Sequence, residues 1–301
     1  MYLGMACLAA MSAASVGAIV SSRNGGITRL ANPEDVRVAD SVFVSDYFGF
    51  AYRVPHGWSQ GLPGPDPSQS GYYVLGTWVP TGDFTGSILV VAQDNFFTPD
   101  TSDGVKNAVN HFRQFMSSVD GMTIDREPEP VKVGAYPGYR IDFSGVGLFR
   151  SMLAIEIRCH VVTFNLTSRD PELLASLARS LDDLVSFESK AGPVPECLRD
   201  YVSENVLHRI EPDGAAATAV SIPVRLVVAT DGSVKHVHVI RASAAQRRDI
   251  EEAVRQWRFK PYLKQGSPAE VETGVIFGRE RRQGQAWQYG ERHREPVALV
   301  A

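Results

Sequence analysis

The chain is poor in the signatures that announce enzymatic chemistry. Its 301 residues hold no Walker loop, no G-x-S-x-G elbow, no H-E-x-x-H pair and no G-x-G-x-x-G strand-turn-helix element. Phosphate cradling, a strained nucleophile, metalloprotease zinc and dinucleotide binding therefore have no anchor in it. A basic surplus is absent as well. A net charge of -4 gives phosphates no positive face to meet, and no RNA or DNA module is recognisable, so nucleic acid is not expected as a partner.

Charge is missing altogether from Met1 to Ser22. The apolar run Tyr2 to Ala10 opens into small residues, with Val16-Gly17-Ala18 fitting a signal-peptidase site, although the usual basic n-region is lacking. The expectation is an exported chain with residues 1–22 as a signal peptide. The alternative is an uncleaved membrane anchor, for which Gly, Ala and Ser make a poor span. Cysteine is scarce too, three residues in all. Cys7 lies too early for a lipoprotein box and lacks its leucine. Removing the signal leaves Cys159 and Cys197, an even count that permits a disulfide in an exported protein. Cys159 shares strand parity with Ile155, Ile157 and Val161, and that pattern favours a buried small apolar residue over a bridge.

What is present suffices for two cores: 44% of the residues are hydrophobic and 21% charged. Residues 23–40 are polar without periodicity and read as a linker. A first domain spans 41–188. Phe43, Tyr47, Phe48, Phe50 and Tyr52 lead into Val54-Pro55-His56-Gly57-Trp58, an aromatic strand closed by a turn, and Tyr72 to Val79 and Ser87 to Ala92 are further strands. Val105, Ala108, Val109, Phe112, Phe115 and Val119 share one helical face. The segments Val131 to Phe143 and Leu148 to Thr167 form an antiparallel pair about Gly145-Val146-Gly147. Asp170-Pro171 supplies an N-cap and a first-turn proline for a helix whose core face is Leu173, Leu174, Leu177, Leu181 and Leu184. Strands, a helix, more strands and a closing helix describe an α+β domain built around an antiparallel sheet.

Residues 189–194 have linker composition, and a second domain runs from 195 to 278. Leu198, Tyr201, Val202, Asn205 and Val206 read as a short amphipathic helix. Val224, Leu226 and Val228 alternate toward Asp231-Gly232, a hairpin turn, with Val237 and Val239 on the far side. Ser243 and Gln246 have capping-box spacing. Ile250, Ala253, Val254 and Trp257 form one apolar helical stripe, stopped by Phe259-Lys260-Pro261. Val271, Thr273, Val275 and Phe277 then alternate with Glu272, Gly274 and Ile276 as a strand with one buried face. This domain too is α+β, antiparallel strands on one main helix. Residues 279–301 read as a polar tail.

Candidate chemistry is thin. His236 and His238 lie two apart on a strand and share a face, as a two-histidine metal site would require, yet no further ligand is near in sequence. The better reading is a solvated outer face, with no metal or other cofactor. The Asp182-Asp183 and Glu251-Glu252 pairs sit on polar helix faces. Trp257 belongs to the core, while Arg258 and Lys260 point elsewhere and are candidates to meet an acidic partner.

The DGSV turn at Asp231 to Val234, AVRQWRFKPY from Ala253 to Tyr262, the turn at Gln265-Gly266 and the strand ending in Phe277 together resemble the C-terminal domain of TonB and its relatives. The resemblance covers Pro195 to Gly278, with Glu211-Pro212-Asp213-Gly214 where the family usually has a proline-tyrosine-proline stretch. YFGFAYRVPHGW from Tyr47 to Trp58, with NLTSRDPELLASLARSLDDL from Asn165 to Leu184, resembles the PsbP, Mog1 and DcrB fold group. Neither resemblance implies catalysis. The first implies docking to an extended segment of an envelope protein by strand addition, since an edge strand presents unpaired backbone groups. The candidate edge is Val271, Glu272, Thr273, Gly274, Val275, Ile276 and Phe277. A transducer of the TonB kind would carry a histidine in its anchor and a long proline-rich spacer. Here the first histidine is His56 and a folded domain replaces the spacer. The expectation is a non-enzymatic two-domain adaptor of the periplasm or cell envelope, touching membrane only through an N-terminal anchor. The alternative is a small-ligand or lipid carrier with the Tyr47 to Trp58 aromatics lining a pocket, and an enzyme would require a cleft placing His56, His111 or His160 beside a carboxylate.

Overall fold

The computed structural model describes residues 30–278 apart from 63, 83–84, 99–103 and 214–220. The signal segment and the polar tail lie outside the described residues. In chain order the strands of the first domain are β1 (Val36–Ala39), β2 (Val42–Ser45), β3 (Phe50–Arg53), β4 (Trp58–Gln60), β5 (Tyr72–Pro80), β6 (Gly86–Asp94), β7 (Met122–Val133), β8 (Tyr136–Gly145), β9 (Leu148–Ile157), β10 (His160–Ser168) and β11 (Val185–Ser186). Its helices are α1 (Val105–Ser117) and α2 (Pro171–Ser180). Seven strands form an antiparallel sheet in the order β4-β5-β6-β10-β9-β8-β7, and β1-β2-β3-β11 form a second sheet. The main core lies between the two sheets and α2, where Phe43, Phe50, Tyr52, Trp78, Phe164 and Leu181 are buried. On the other face of the large sheet, α1 covers Ile141, Phe143, Met152, Ala154 and Val161.

Several elements follow from the residues that announce them. Asp170 accepts from the Glu172 N–H at 2.8 Å, with Pro171 in the first turn of α2. The turn at Val146-Gly147 joins β8 and β9. Other readings need correction. Val36–Ala39 belongs to a sheet rather than a linker. Residues 122–145 are two strands folded at Gly134, which sits at φ 56. Phe115 and Val119 are exposed rather than on the buried face of α1, because that helix buries Val109 and packs Val105, Ala108, Phe112 and Met116 beside it. Residues 189–194 are not a free tether. Arg158 donates to the carbonyls of Gly192 at 2.7 Å and of Ala191 and Pro193 at 3.3 Å, holding the segment on the first domain.

The second domain contains β12 (Glu196–Cys197), α3 (Tyr201–Asn205), β13 (Val206–His208), β14 (Ile222–Val228), β15 (Val234–Val239), α4 (Ala244–Val254), β16 (Arg258–Phe259), β17 (Leu263–Lys264), β18 (Ser267–Pro268) and β19 (Val271–Phe277). Its sheet has the order β12-β19-β14-β15. The capping box of Ser243 and Gln246 is formed. Helix α4 stops at Val254, short of Trp257. Gln256 and Trp257 bond back three residues to Ala253 and Val254, and Arg258–Phe259 is drawn into pairing with β13. Ile250, Val254 and Trp257 still share one core with Val224, Leu226, Val271 and Phe277.

Candidate partner-docking margin

The hydrogen bonds of β19 define its free side. Residues 271, 273, 275 and 277 stand opposite Val228, Leu226, Val224 and Ile222 of β14. On the other flank, the N–H groups of Glu196 and Leu198 donate to the carbonyls of Glu270 and Glu272, at 2.8 and 3.0 Å. Backbone groups alternate along a strand, so Gly274 and Ile276 also turn N–H and C=O to that outer flank. No strand pairs with them there among the described residues. The sequence-predicted edge is thus an edge only beyond Thr273. Val271 and Glu272 are already paired, in parallel, with β12. Thr273 donates its hydroxyl to the Arg199 carbonyl at 3.2 Å, and Ile276 is 53% exposed.

Beside this flank opens a cavity of about 590 Å³, lined by Cys197, Leu198, Tyr201, Lys260, Tyr262 and Leu263 among others. Lys260 is held at its rim by its own backbone. Its N–H donates to Asn205 O at 2.9 Å, and its carbonyl accepts from the Tyr201 hydroxyl. Arg258 does not line the cavity; its guanidinium folds back onto Trp257 O at 2.7 Å. Lys264 reaches Glu196 at 2.7 Å across the same margin.

The face of the sheet opposite α4 is not solvated. It is the interface with the first domain, and this overturns the outer-face reading of the histidines. His238 is 3% exposed, stacks on Tyr73 with centroids 6.3 Å apart and bonds Glu34 at 2.9 Å. His236 bonds Asn32 at 3.0 Å. Among the described residues no group of three His, Cys, Asp or Glu is placed to hold a metal. At the centre lies Arg225, 2% exposed. Its guanidinium pairs with Asp94 and, at 2.7 Å, with Glu272, donates to the Tyr47 hydroxyl at 3.0 Å, and covers the Phe96 ring. Burial opposes its charge, but the two carboxylates outweigh burial and hold its pKa well above the ordinary arginine value.

His160 completes this cluster. Burial first, and then the Arg225 charge, keep its imidazole well below the usual histidine range, so it is neutral. Nδ1–H donates to Arg158 O at 2.7 Å and Nε2 accepts from Arg225 at 3.0 Å. Asp94 lies 3.7 Å away, with its own carboxyl pushed up by burial and only partly brought back by Arg225. This is a histidine beside a carboxylate, but both are 0% exposed. A void of about 10 Å³ beside Arg225, lined also by Tyr47, His238 and Glu272, holds one water at most.

Sequence parity favoured a buried, unbridged Cys159; the residue is buried, 1% exposed, but bridged. It forms a disulfide with Cys197, Cα to Cα 5.6 Å, which joins the two domains beside the margin. Arg158 and Cys159 form the two-residue turn between β9 and β10, both left-handed at φ 49 and 61. The strand period is broken there by residues that give no turn signal. The carrier reading fares poorly: Tyr47, Phe48, Phe50 and Tyr52 are at most 4% exposed and pack ring to ring as core.

Known proteins resemble parts of this chain. A solved cyanobacterial PsbP, CyanoP from Synechocystis, is 14% identical, covering 57% of this chain and all of that one, with a TM-score of 0.37. LpqN of Mycobacterium tuberculosis, described as involved in cell envelope biogenesis, is 15% identical over 46% of this chain and 83% of its own, TM-score 0.32. The TonB CTD of Pseudomonas aeruginosa is 20% identical over 30% of this chain and all of that one, TM-score 0.21. A search of curated proteins finds no match. Residues 216–278, from just before β14 to the end of β19, match the family model described as Gram-negative bacterial TonB protein C-terminal.

Proposed function

We propose that this chain is a non-catalytic adaptor of the bacterial cell envelope that binds an extended segment of another envelope protein by strand addition along the outer flank of β19. One observation carries the reading. The flank already accepts a strand within the molecule, β12, while its continuation at Gly274 and Ile276 has no pairing strand among the described residues. The match of residues 216–278 to a Gram-negative envelope family supports the setting. Each added backbone bond contributes about 0.5–1.5 kcal/mol net, so a short segment gives reversible affinity. The burial of His160 and Asp94 behind Arg225 argues against hydrolytic chemistry at that pair, and a folded first domain in place of a spacer argues against coupling to a proton-driven motor.

The test is a pull-down from a native envelope fraction with the full chain, because the second domain shares a disulfide and a buried ion network with the first. Ile276→Pro removes an outward N–H, and Ile276→Thr keeps it. Partners retained by the threonine variant and lost by the proline variant support strand addition. An identical set of partners for both variants refutes it.

A further inference from the structure

We propose that the flank of β19 receives a short extended segment in parallel register with an acidic residue for Lys264. Residues 194–198 are a built-in occupant of that place, released by thiol exchange at Cys197. This rests on the strand-addition reading and specifies the partner's chemistry and what sits on the margin at rest.

The occupant is short, and the residues on either side of it are held in place: 191–193 by Arg158, and Arg199 by the Thr273 hydroxyl and by its own guanidinium on the Asn95 and Thr98 carbonyls. β12 is two residues long and pairs with β19 at Glu196–Val271 and Cys197–Glu272, flanked by the Glu196 and Leu198 N–H bonds to the Glu270 and Glu272 carbonyls. Glu196 meets the half-exposed Lys264 at 2.7 Å. Within 194–198 only Pro195 is buried, and Val194 is 66% exposed. The disulfide to Cys159 adds a covalent tie between this segment and the first domain. Its two ends differ: Cys159 is 1% exposed, whereas Cys197 is exposed and lines the large cavity.

Access therefore selects Cys197 for attack. A thiolate of a dithiol reductant attacks its Sγ, the S–S bond breaks, and Cys159 leaves and takes up a proton. Glu272 Oε2, 3.5 Å from Cys159 Sγ, is placed to accept the new thiol hydrogen. The reductant's second thiol then displaces Cys197 from the mixed disulfide. The reductant departs as a disulfide and the chain holds two thiols. The vacated flank offers the carbonyls of Glu270 and Glu272, the Lys264 amine, and Lys260 and Tyr262 at the cavity rim. An incoming strand with an acidic side chain at the position of Glu196 matches all of them.

Amide hydrogen exchange on the full chain, with and without dithiothreitol, tests release. The N–H groups of Glu196 and Leu198 are expected to exchange about tenfold faster or more after reduction, while those of Leu226 and Val275 are unchanged. Retained protection at Glu196 and Leu198 overturns the proposal, as does simultaneous loss at Leu226 and Val275. A labelled synthetic peptide of residues 193–199 carrying Cys197→Ser then probes the margin. It is expected to bind the reduced chain about tenfold or more tighter than the oxidised one, and more weakly when Lys264→Glu is introduced. Release without peptide binding in either state defeats the strand-addition reading itself. Peptide binding that ignores the disulfide defeats only the built-in occupant. Affinity unmoved by Lys264→Glu removes the acidic requirement.

Discussion

Arg225 of the second domain and Asp94 of the first form an ion pair in which the arginine is 2% exposed and the carboxylate 0%. With Glu272 and the ring of Phe96 they join β14 and β19 to the far end of β6. Buried pairs of this kind contribute little net stability against an apolar replacement, yet breaking one partner strands the others. Arg225→Met is expected to lower unfolding free energy by about 3–5 kcal/mol in urea denaturation. Adding Asp94→Asn and Glu272→Gln should recover part of that loss. If the triple variant is no better than the single one, uncompensated charge is not the cause.

The turn at Arg158-Cys159 sets two effects against each other. Left-handed backbone costs a non-glycine residue about 1–2 kcal/mol, so Arg158→Gly relieves strain. The same change deletes the guanidinium bonds to three carbonyls of residues 191–193, each on the order of 1.5–3 kcal/mol when charged. The loss is expected to win, with stability falling by about 2 kcal/mol or more and proteolysis speeding up within residues 188–195. A more stable variant would show that strain dominates.

That turn also marks where the sequence became illegible. Alternation gave the strand faces of β14 and β19, and Ser243, Gln246, Asp170 and Pro171 gave two helix starts, because those signals are local. Arg158 and Cys159 are ordinary strand residues by propensity. A two-residue hairpin turn demands positive φ at both positions, and the partners that hold them there, the carbonyl of Gly192 on the guanidinium and Cys197 in the disulfide, lie more than thirty residues away. Likewise His236 and His238 alternate with Val237 and Val239 as a solvated face would. Only the docking of a second domain buries both faces of β14. That Val271–Phe277 is a strand was legible, but the pairing of its first residues with Glu196–Cys197 was not, since two residues carry no periodicity.

Proline scanning separates the two flanks of β19. Val275 stands opposite Val224 in the β14 ladder, so Val275→Pro removes an internal bond and is expected to destabilise the domain by about 1–3 kcal/mol or more. Ile276→Pro removes an N–H that meets no strand among the described residues and should leave the urea midpoint nearly unchanged. Equal losses at the two positions would mean that Ile276 is paired on its outer side.

Acid provides the sharpest test of the buried cluster. Unfolded, an imidazole titrates near about 6.5; folded, His160 is held well below that by burial and by Arg225. Between those two values the unfolded chain binds one more proton. The contribution of His160 is therefore present above about pH 6.5 and is lost as pH falls, at up to about 1.4 kcal/mol per unit. Asp94 has the opposite sign. Its folded pKa is raised, so its contribution is present below the ordinary carboxylate value and is lost as pH rises through the folded one. Arg225, Arg158, Tyr47 and His238 also surround the imidazole and remain in place in a His160→Asn variant, whose amide can still donate to Arg158 O. Urea midpoints measured from about pH 7.5 to about pH 5 should fall more steeply for the parent chain than for that variant. Parallel curves would mean that His160 charges within the fold.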